Sequence, residues 1–148
     1  MMSSNYTKGF RSVHSLTVHV IFVTKYRRRL LNAKILNRLD EIFRETLNKW
    51  GCELVEFEGE TDHVHLLIKF HPAVELSKLI ANLKTVSSRL IRRDYLEHIQ
   101  RYHHKAALWT GSYFVASSGG VTVEQLKAYV QDQNSPRADN PDLNSPHR

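Results

Sequence analysis

Two histidines separated by one residue, His63-Val64-His65, are the first feature of the sequence that indicates chemistry. They open a run of apolar residues that predicts a strand over residues 63–70. Alternate side chains of a strand share a face, so both imidazoles point the same way, with α-carbons roughly 6.5–7 Å apart. Two imidazoles at this separation can bind one metal ion, although the same spacing also occurs in surface histidines of an edge strand.

A single tyrosine near the end of the chain, Tyr129, is the second such feature. The capping-box pattern T-x-x-Q, from Thr122 to Gln125, predicts a helix over residues 122–134. Residues four apart on a helix are neighbours on one face, so Tyr129 and Gln133 are expected to lie side by side. An ordinary half-buried tyrosine would show the same pattern, and the residues alone leave its role open.

Basic side chains form the third feature, and the net charge of +6 favours a polyanionic partner such as nucleic acid. We expect two groups of cations to bind phosphates, one in the turn after the first strand and one on the second predicted helix. They are Lys25, Arg27 and Arg28 in the turn and Lys84, Arg89, Arg92 and Arg93 on the helix. Tyr26 is placed to stack on an unpaired base. A solvated helix face could carry the same charges.

The elements that must position these residues follow from periodicity and turn signals. Asn32 is a predicted helix cap and Gly51 a predicted helix end. The predicted order is strand 12–24, helix 33–50, strand 52–58, strand 63–70, helix 74–93, strand 113–117 and helix 122–134. This order predicts an α+β fold, a ferredoxin-like (RRM-like) sandwich. Its antiparallel sheet of about four to five strands would carry helices on one face, and the tyrosine-bearing helix would come last.

Length and composition set the remaining expectations. The 148 residues suit one catalytic domain over residues 1–134, followed by a disordered polar tail over 135–148 that holds three of the four prolines. No apolar run is long enough to span a membrane, and the polar N-terminus predicts no secretion. A single cysteine excludes an intrachain disulfide and a thiolate zinc cage, so we expect a cytoplasmic protein. No phosphate-binding glycine loop is present, so no nucleotide cofactor is expected.

The His-x-His strand and the tyrosine helix together resemble the single-tyrosine HUH transposases of small bacterial insertion sequences. That family has a His-hydrophobic-His strand and a late helix bearing one tyrosine and a glutamine four residues on. Three further segments are similar, in the same order, and the resemblance spans nearly all of residues 12–134. These segments are Lys25-Tyr26-Arg27, Ser87-Ser88-Arg89, and Leu108-Trp109 followed by residues 113–117.

The resemblance implies a DNA transposase and HUH endonuclease that cleaves and rejoins single-stranded DNA through a 5′-phosphotyrosine. Tyr129 would be the nucleophile, and His63, His65 and Gln133 would hold Mg²⁺ or Mn²⁺. The choice of metal comes from the resemblance, because the softness of these ligands alone would suggest zinc or another borderline ion. The partners it implies are DNA hairpins at the element's ends and a second copy of the chain. In such a homodimer the Tyr129 helix would sit at the partner's histidine site, with Gly119-Gly120 as the hinge.

Several other functions remain open at this stage. A two-histidine phosphoesterase needs H-x-T/S motifs, which His63-Val64-His65 does not match. A zinc hydrolase needs a third strong ligand, and Asp62 is expected on the opposite face of the strand. A non-catalytic nucleic-acid-binding domain of this fold needs aromatic residues on its central strands. A replication-initiator or a domesticated repeat-processing HUH nuclease would share the chemistry, but the short chain favours a stand-alone transposase.

Overall fold

The computed structural model describes residues 16–102 and 107–117. In chain order the elements there are β1 (Leu16–Val23), α1 (Ala33–Lys49), β2 (Glu53–Gly59), β3 (His63–Phe70), α2 (Leu76–Asp94), α3 (Leu96–Gln100) and β4 (Phe114–Ser117), with a 3₁₀ turn at Lys25–Arg27. The four strands form one antiparallel sheet in the order β2-β3-β1-β4. This confirms the predicted α+β, ferredoxin-like architecture. The predicted helix 122–134 and tail 135–148 lie outside the described residues.

Helix α1 begins and ends at the residues that the sequence indicated. The side-chain oxygen of Asn32 accepts a hydrogen bond of 2.9 Å from the backbone N–H of Ile35, which caps the helix. At the other end Gly51 adopts φ +71°, a conformation that favours glycine. The N–H groups of Gly51 and Cys52 then close the last turn onto the carbonyls of Asn48 and Leu47. Because Cys52 completes this closure, β2 starts one residue later than predicted.

The two faces of the sheet have different partners. The face that carries Val64, Leu66 and Ile68 packs under α1 and α2 in the main hydrophobic core. The other face of the same strands carries a second, smaller apolar cluster, in which Ile21 and Val23 pack against partly buried residues of β4. Helices therefore cover one face among the described residues, as the sequence predicts.

The turn after β1 has an unusual backbone. Tyr26 and Arg27 have φ values of 58° and 54°, in the left-handed region that side chains other than glycine rarely adopt. Thr24 holds this turn in place: its carbonyl accepts from the N–H of Arg27 at 2.9 Å, and its hydroxyl donates to the carbonyl of Arg28 at 2.7 Å. Such strain persists only where neighbouring bonds enforce it, and it often marks a functional site.

None of the helices within the described residues has the length and apolar character needed to cross a membrane.

Candidate active site

His63 and His65 lie next to each other on the sheet face that α1 and α2 leave uncovered. The register of β3 against β1 places His63 opposite Val23 and His65 opposite Ile21, the two buried residues of the smaller cluster. The side chains are deeply buried, with His63 6% and His65 0% exposed. Two buried imidazoles on one face are far from the exposed edge-strand arrangement that the spacing alone left open.

A carboxylate fixes the orientation of His63. Asp62 Oδ1 lies 2.9 Å from His63 Nδ1, while Asp62 Oδ2 accepts hydrogen bonds from Arg27 Nη2 at 2.8 Å and Nε at 3.1 Å. The hydrogen bond with His63, together with the hydrogen bonds and charge of Arg27, lowers the pKa of Asp62 to about 2 despite its burial. An ionised carboxylate only accepts, so Nδ1 of His63 carries a hydrogen. In the neutral form of the ring the lone pair then lies on Nε2. This is the arrangement found in many metal-binding histidines.

The role of Asp62 was missed by the sequence reasoning, which placed it on the opposite face of the strand. Strand β3 begins at His63, so strand alternation does not govern the residue before it. Asp62 turns its carboxylate back to the neighbouring ring. Its second partner, Arg27, is 35 residues away in the chain, and no sequence pattern signals that contact.

His19 is a further buried histidine on the same face, and the sequence analysis gave it no role. Its Nδ1 lies 2.8 Å from Nε2 of His65, with ring centroids 5.0 Å apart and an angle of 27° between the rings. His19 alternates with Ile21 and Val23 along β1, which is the one signal that could have placed it here. A metal ion bound through Nε2 of His65 would replace the hydrogen bond to His19.

Among the described residues, two side chains of the site have the chemistry of metal ligands, His63 and His65. Residues 16–102 and 107–117 contain no group of three His, Cys, Asp or Glu side chains that could hold a metal. His63, with its oriented Nε2 lone pair, and His65 would fit two positions of a divalent ion, and no further His, Cys, Asp or Glu side chain among the described residues completes a set of three with them. Gln133 and Tyr129, the other two predicted site residues, lie outside the described residues.

A basic groove of about 690 Å³ lies between α2 and the segment 107–111. Five of the eight predicted DNA-binding residues line it, namely Lys25, Lys84, Arg89, Arg92 and Arg93. No carboxylate occurs among the described residues that line this basic groove. Nε of Arg92 is buried and meets no hydrogen-bond acceptor within the part of the chain that the structure describes. Such a groove offers its donors to an anion.

The remaining three predicted DNA-binding residues lie in the turn outside this groove. Arg27 is bonded to Asp62. Two cations lie near the ring of Tyr26, with Lys25 Nζ 5.8 Å and the Arg28 guanidinium carbon 5.6 Å from its centre. Arg28 is exposed. The structure thus divides the basic residues of the turn, and only Lys25 belongs to the basic groove.

The wall of the basic groove is built from segments that the sequence resemblance singled out. Trp109 Nε1 donates to Ser87 Oγ at 2.9 Å, and the N–H of Leu108 donates to Ser88 Oγ at 3.2 Å. The N–H of Lys25 donates to the carbonyl of Leu108 at 2.9 Å. The three segments, distant in sequence, therefore meet at one place and hold α2 against the end of β1.

Lys84 both supports and lines the basic groove. Its Nζ donates to the carbonyl of Thr110 at 2.6 Å and lies 5.9 Å from the centre of the Tyr113 ring. Burial, and secondarily the charge of Lys25, lowers the pKa of Lys84. Arg93 is also engaged, by Asp94 at 2.8 Å. Arg89 and Arg92 are therefore the clearest candidates for phosphate contacts.

Substitution of Ser87 by alanine is expected to destabilise the protein by about 1–3 kcal/mol, because the buried N–H of Trp109 would lose its acceptor. Urea unfolding followed by tryptophan fluorescence measures this free energy. Ser77→Ala, at an exposed position of the same helix, is the matched control and should change it little. Equal stability of the two variants would show that the Ser87–Trp109 bond contributes nothing to folding.

The sequence of this chain is similar to those of known transposases. Residues 12–133 match the family described as "Transposase IS200 like". The ISDra2 transposase TnpA of Deinococcus radiodurans is 28% identical over 127 residues, which cover 86% of this chain and 90% of the relative. The IS200 transposase of Salmonella typhimurium is 24% identical over 115 residues, covering 78% of this chain and 74% of the relative.

Solved structures give a matching result. A crystal structure from Deinococcus radiodurans, described as that of a candidate transposase, superposes with a TM-score of 0.76 at 31% identity, covering 86% of this chain and 98% of that one. A REP-associated tyrosine transposase bound to a REP hairpin has a TM-score of 0.52 at 11% identity, covering 88% of this chain and 69% of that one. The second likeness concerns the fold alone.

Proposed function

Since this chain belongs to the IS200-like transposase family, we propose that it cleaves and rejoins single-stranded DNA at the ends of an insertion sequence through a phosphotyrosine intermediate. The observation that carries this proposal is the pair His63 and His65, buried side by side with the ring of His63 fixed by Asp62. The test is a covalent protein–DNA adduct that needs both a divalent metal and Tyr129.

Tyr129 is the proposed nucleophile. Its phenolic oxygen forms a bond to the phosphorus, the bond from phosphorus to the 3′ oxygen breaks, and the phenol's proton ends on that oxygen as a 3′-OH. The DNA 5′ end stays attached to the tyrosine. Phenol has an unperturbed pKa of about 10, so phenolate leaves more readily than a sugar alkoxide when a 3′-OH attacks in the rejoining step. The bond energy is kept, and no ATP is needed.

His63 and His65 are the proposed ligands of Mg²⁺ or Mn²⁺, with Gln133 as the third. Bound there, the ion would supply charge stabilisation to the phosphate oxygens. Because imidazole and amide ligands carry no negative charge, they would not neutralise the positive charge of such an ion, which stays available to the phosphate. The hydrogen bond from His63 to Asp62 keeps Nε2 available as a ligand atom.

The basic groove is the proposed binding surface for the hairpin. The described residues that line the basic groove include its cations and no carboxylate. Arg89 is exposed there, which suits its guanidinium to a phosphate oxygen. A protein of similar fold was solved bound to a REP hairpin, which supports a hairpin as the ligand here. A homodimer is also part of the proposal, because one nucleophilic tyrosine per chain makes strand exchange depend on a second active site.

Substitution of Arg89 or Arg92 by alanine is expected to weaken hairpin binding and to lower the slope of log affinity against log salt by about one for each lost phosphate contact. Fluorescence anisotropy of a labelled hairpin at several salt concentrations measures both quantities. Lys78→Ala, on the exposed start of the same helix and outside the basic groove, is the control with an unchanged slope. Unaltered slopes in both arginine variants would remove the basic groove from the DNA interface.

A further inference from the structure

We propose that Arg27 is a positioning residue for the metal ligand His63, acting through Asp62, and that it is not a phosphate contact. This inference rests on the proposed function in one respect, because it takes His63 to be a metal ligand. It differs from the expectation drawn from the sequence, in which Arg27 joins the other cations of the turn in binding DNA.

The geometry of the ion pair carries the inference. Nε and Nη2 of Arg27 both donate to Oδ2 of Asp62, and Oδ1 of Asp62 accepts a hydrogen bond from Nδ1 of His63. The side chains of Arg27 and Asp62 are only 14% and 11% exposed. Each oxygen of the carboxylate therefore has its own partner, and the guanidinium is turned away from solvent. Arg27 is also absent from the lining of the basic groove.

The backbone of the turn is arranged to produce this contact. Arg27 and the residue before it adopt positive φ, a conformation that is unfavourable for side chains other than glycine. The carbonyl of Thr24 accepts a hydrogen bond from the N–H of Arg27, and the N–H of Thr24 donates to the carbonyl of Asp62 at 2.9 Å. One residue thus anchors both members of the ion pair. The strained turn brings the guanidinium onto the carboxylate that holds the metal ligand.

Loss of Arg27 should act on metal binding through the freedom of Asp62. Without the guanidinium the carboxylate keeps a single restraint and can rotate, so the ring of His63 is held less firmly. Outer partners of metal ligands of this kind change metal affinity by about 10–100-fold. A lysine can supply one charge but not two donors in a fork, so Arg27→Lys should restore part of the effect.

The experiment compares metal affinity with DNA affinity in the full chain. Mn²⁺ is titrated into the wild type, Arg27→Ala, Arg27→Lys and the exposed neighbour Arg29→Ala, and the signal of free Mn²⁺ is followed by electron paramagnetic resonance. We expect the Kd for Mn²⁺ to rise 10–100-fold in Arg27→Ala, less in Arg27→Lys, and not at all in Arg29→Ala. Hairpin affinity measured without metal should be unchanged in Arg27→Ala.

Two outcomes would overturn the inference: an unchanged Mn²⁺ affinity in a folded Arg27→Ala protein, or weaker hairpin binding with Mn²⁺ affinity intact. A second measurement needs no metal and no substitution. Nitrogen-15 spectra of the wild type should show a hydrogen on Nδ1 of His63. An Nδ1 without a hydrogen would overturn the inference while leaving the proposed function standing. A wild type that binds no Mn²⁺ would instead overturn the metal role in the proposed function, and the spectra would still decide whether the Asp62 arrangement exists.

Discussion

Replacement of Tyr129 by phenylalanine is expected to abolish the covalent adduct with single-stranded DNA and to leave hairpin binding unchanged. The substitution removes one hydroxyl, which is the only atom that forms the new bond to phosphorus, and leaves the ring in place. A labelled hairpin oligonucleotide is incubated with the protein and Mn²⁺, and a denaturing gel separates the adduct from free DNA. The adduct band should fall below detection.

The matched control for this variant is Tyr102→Phe, which changes an exposed tyrosine. It loses the same hydroxyl at a position with no proposed role, so its adduct band should equal that of the wild type. Mass spectrometry of the wild-type adduct should place the nucleotide on Tyr129. An adduct that survives in Tyr129→Phe would reject the assignment of the nucleophile.

Substitution of His63 by alanine, or of His65 by leucine, is expected to lower metal-dependent cleavage by about a thousandfold. The estimate follows from the loss of roughly 4 kcal/mol of charge stabilisation when a metal site loses a ligand and is no longer occupied. Leucine at position 65 cannot bind a metal and keeps much of the side-chain volume, which limits the damage to a fully buried position. Cleavage rates are measured over a range of Mn²⁺ concentrations.

His71→Ala is the control for the histidine variants, because His71 is exposed just beyond β3 and its ring accepts a hydrogen bond from the nearby N–H of Ala73. It should retain the wild-type rate. Circular dichroism of each variant shows whether it is folded. If both site variants were folded and cleaved DNA at the wild-type rate in Mn²⁺, the metal site would have to lie elsewhere.

Local rules predicted much of this fold. Strand alternation placed His63 and His65 on one face and Val64 and Leu66 on the other, and the structure has them so. The two ends of α1 could be predicted from single residues, because the Asn32 side chain and the glycine at position 51 each affect only the helical turn next to them. The order of the elements then fixed a ferredoxin-like sheet.

The surroundings of the histidines were beyond prediction from the sequence because they depend on tertiary contacts. The bond between His19 and His65 joins residues 46 apart, and the bond between Arg27 and Asp62 joins residues 35 apart. Neither pair has a spacing rule of the kind that helices and strands provide. The positive φ of Arg27 is also imposed by its neighbours, since its own preference is for negative φ.

The basic residues show a similar division. Charge and position placed Arg89, Arg92 and Arg93 on the second predicted helix. The structure has all three lining the basic groove, since residues three or four apart share a helix face. The same reasoning could not separate Lys25, which lines the basic groove, from Arg27, which bonds to Asp62. Lys25 and Arg27 are only two residues apart, but the strained turn directs their side chains to different surroundings.

The central proposal is that the hydroxyl of Tyr129 and the imidazoles of His63 and His65 share one pocket in the assembled protein. Fluorine NMR of protein labelled with 3-fluorotyrosine tests it most directly, with the Tyr129 signal identified by its absence from Tyr129→Phe. Bound Mn²⁺ should broaden that signal strongly in the wild type and not in His63→Ala, because paramagnetic broadening falls steeply with distance. A Tyr129 signal that stays sharp in wild-type protein saturated with Mn²⁺ would contradict the proposal.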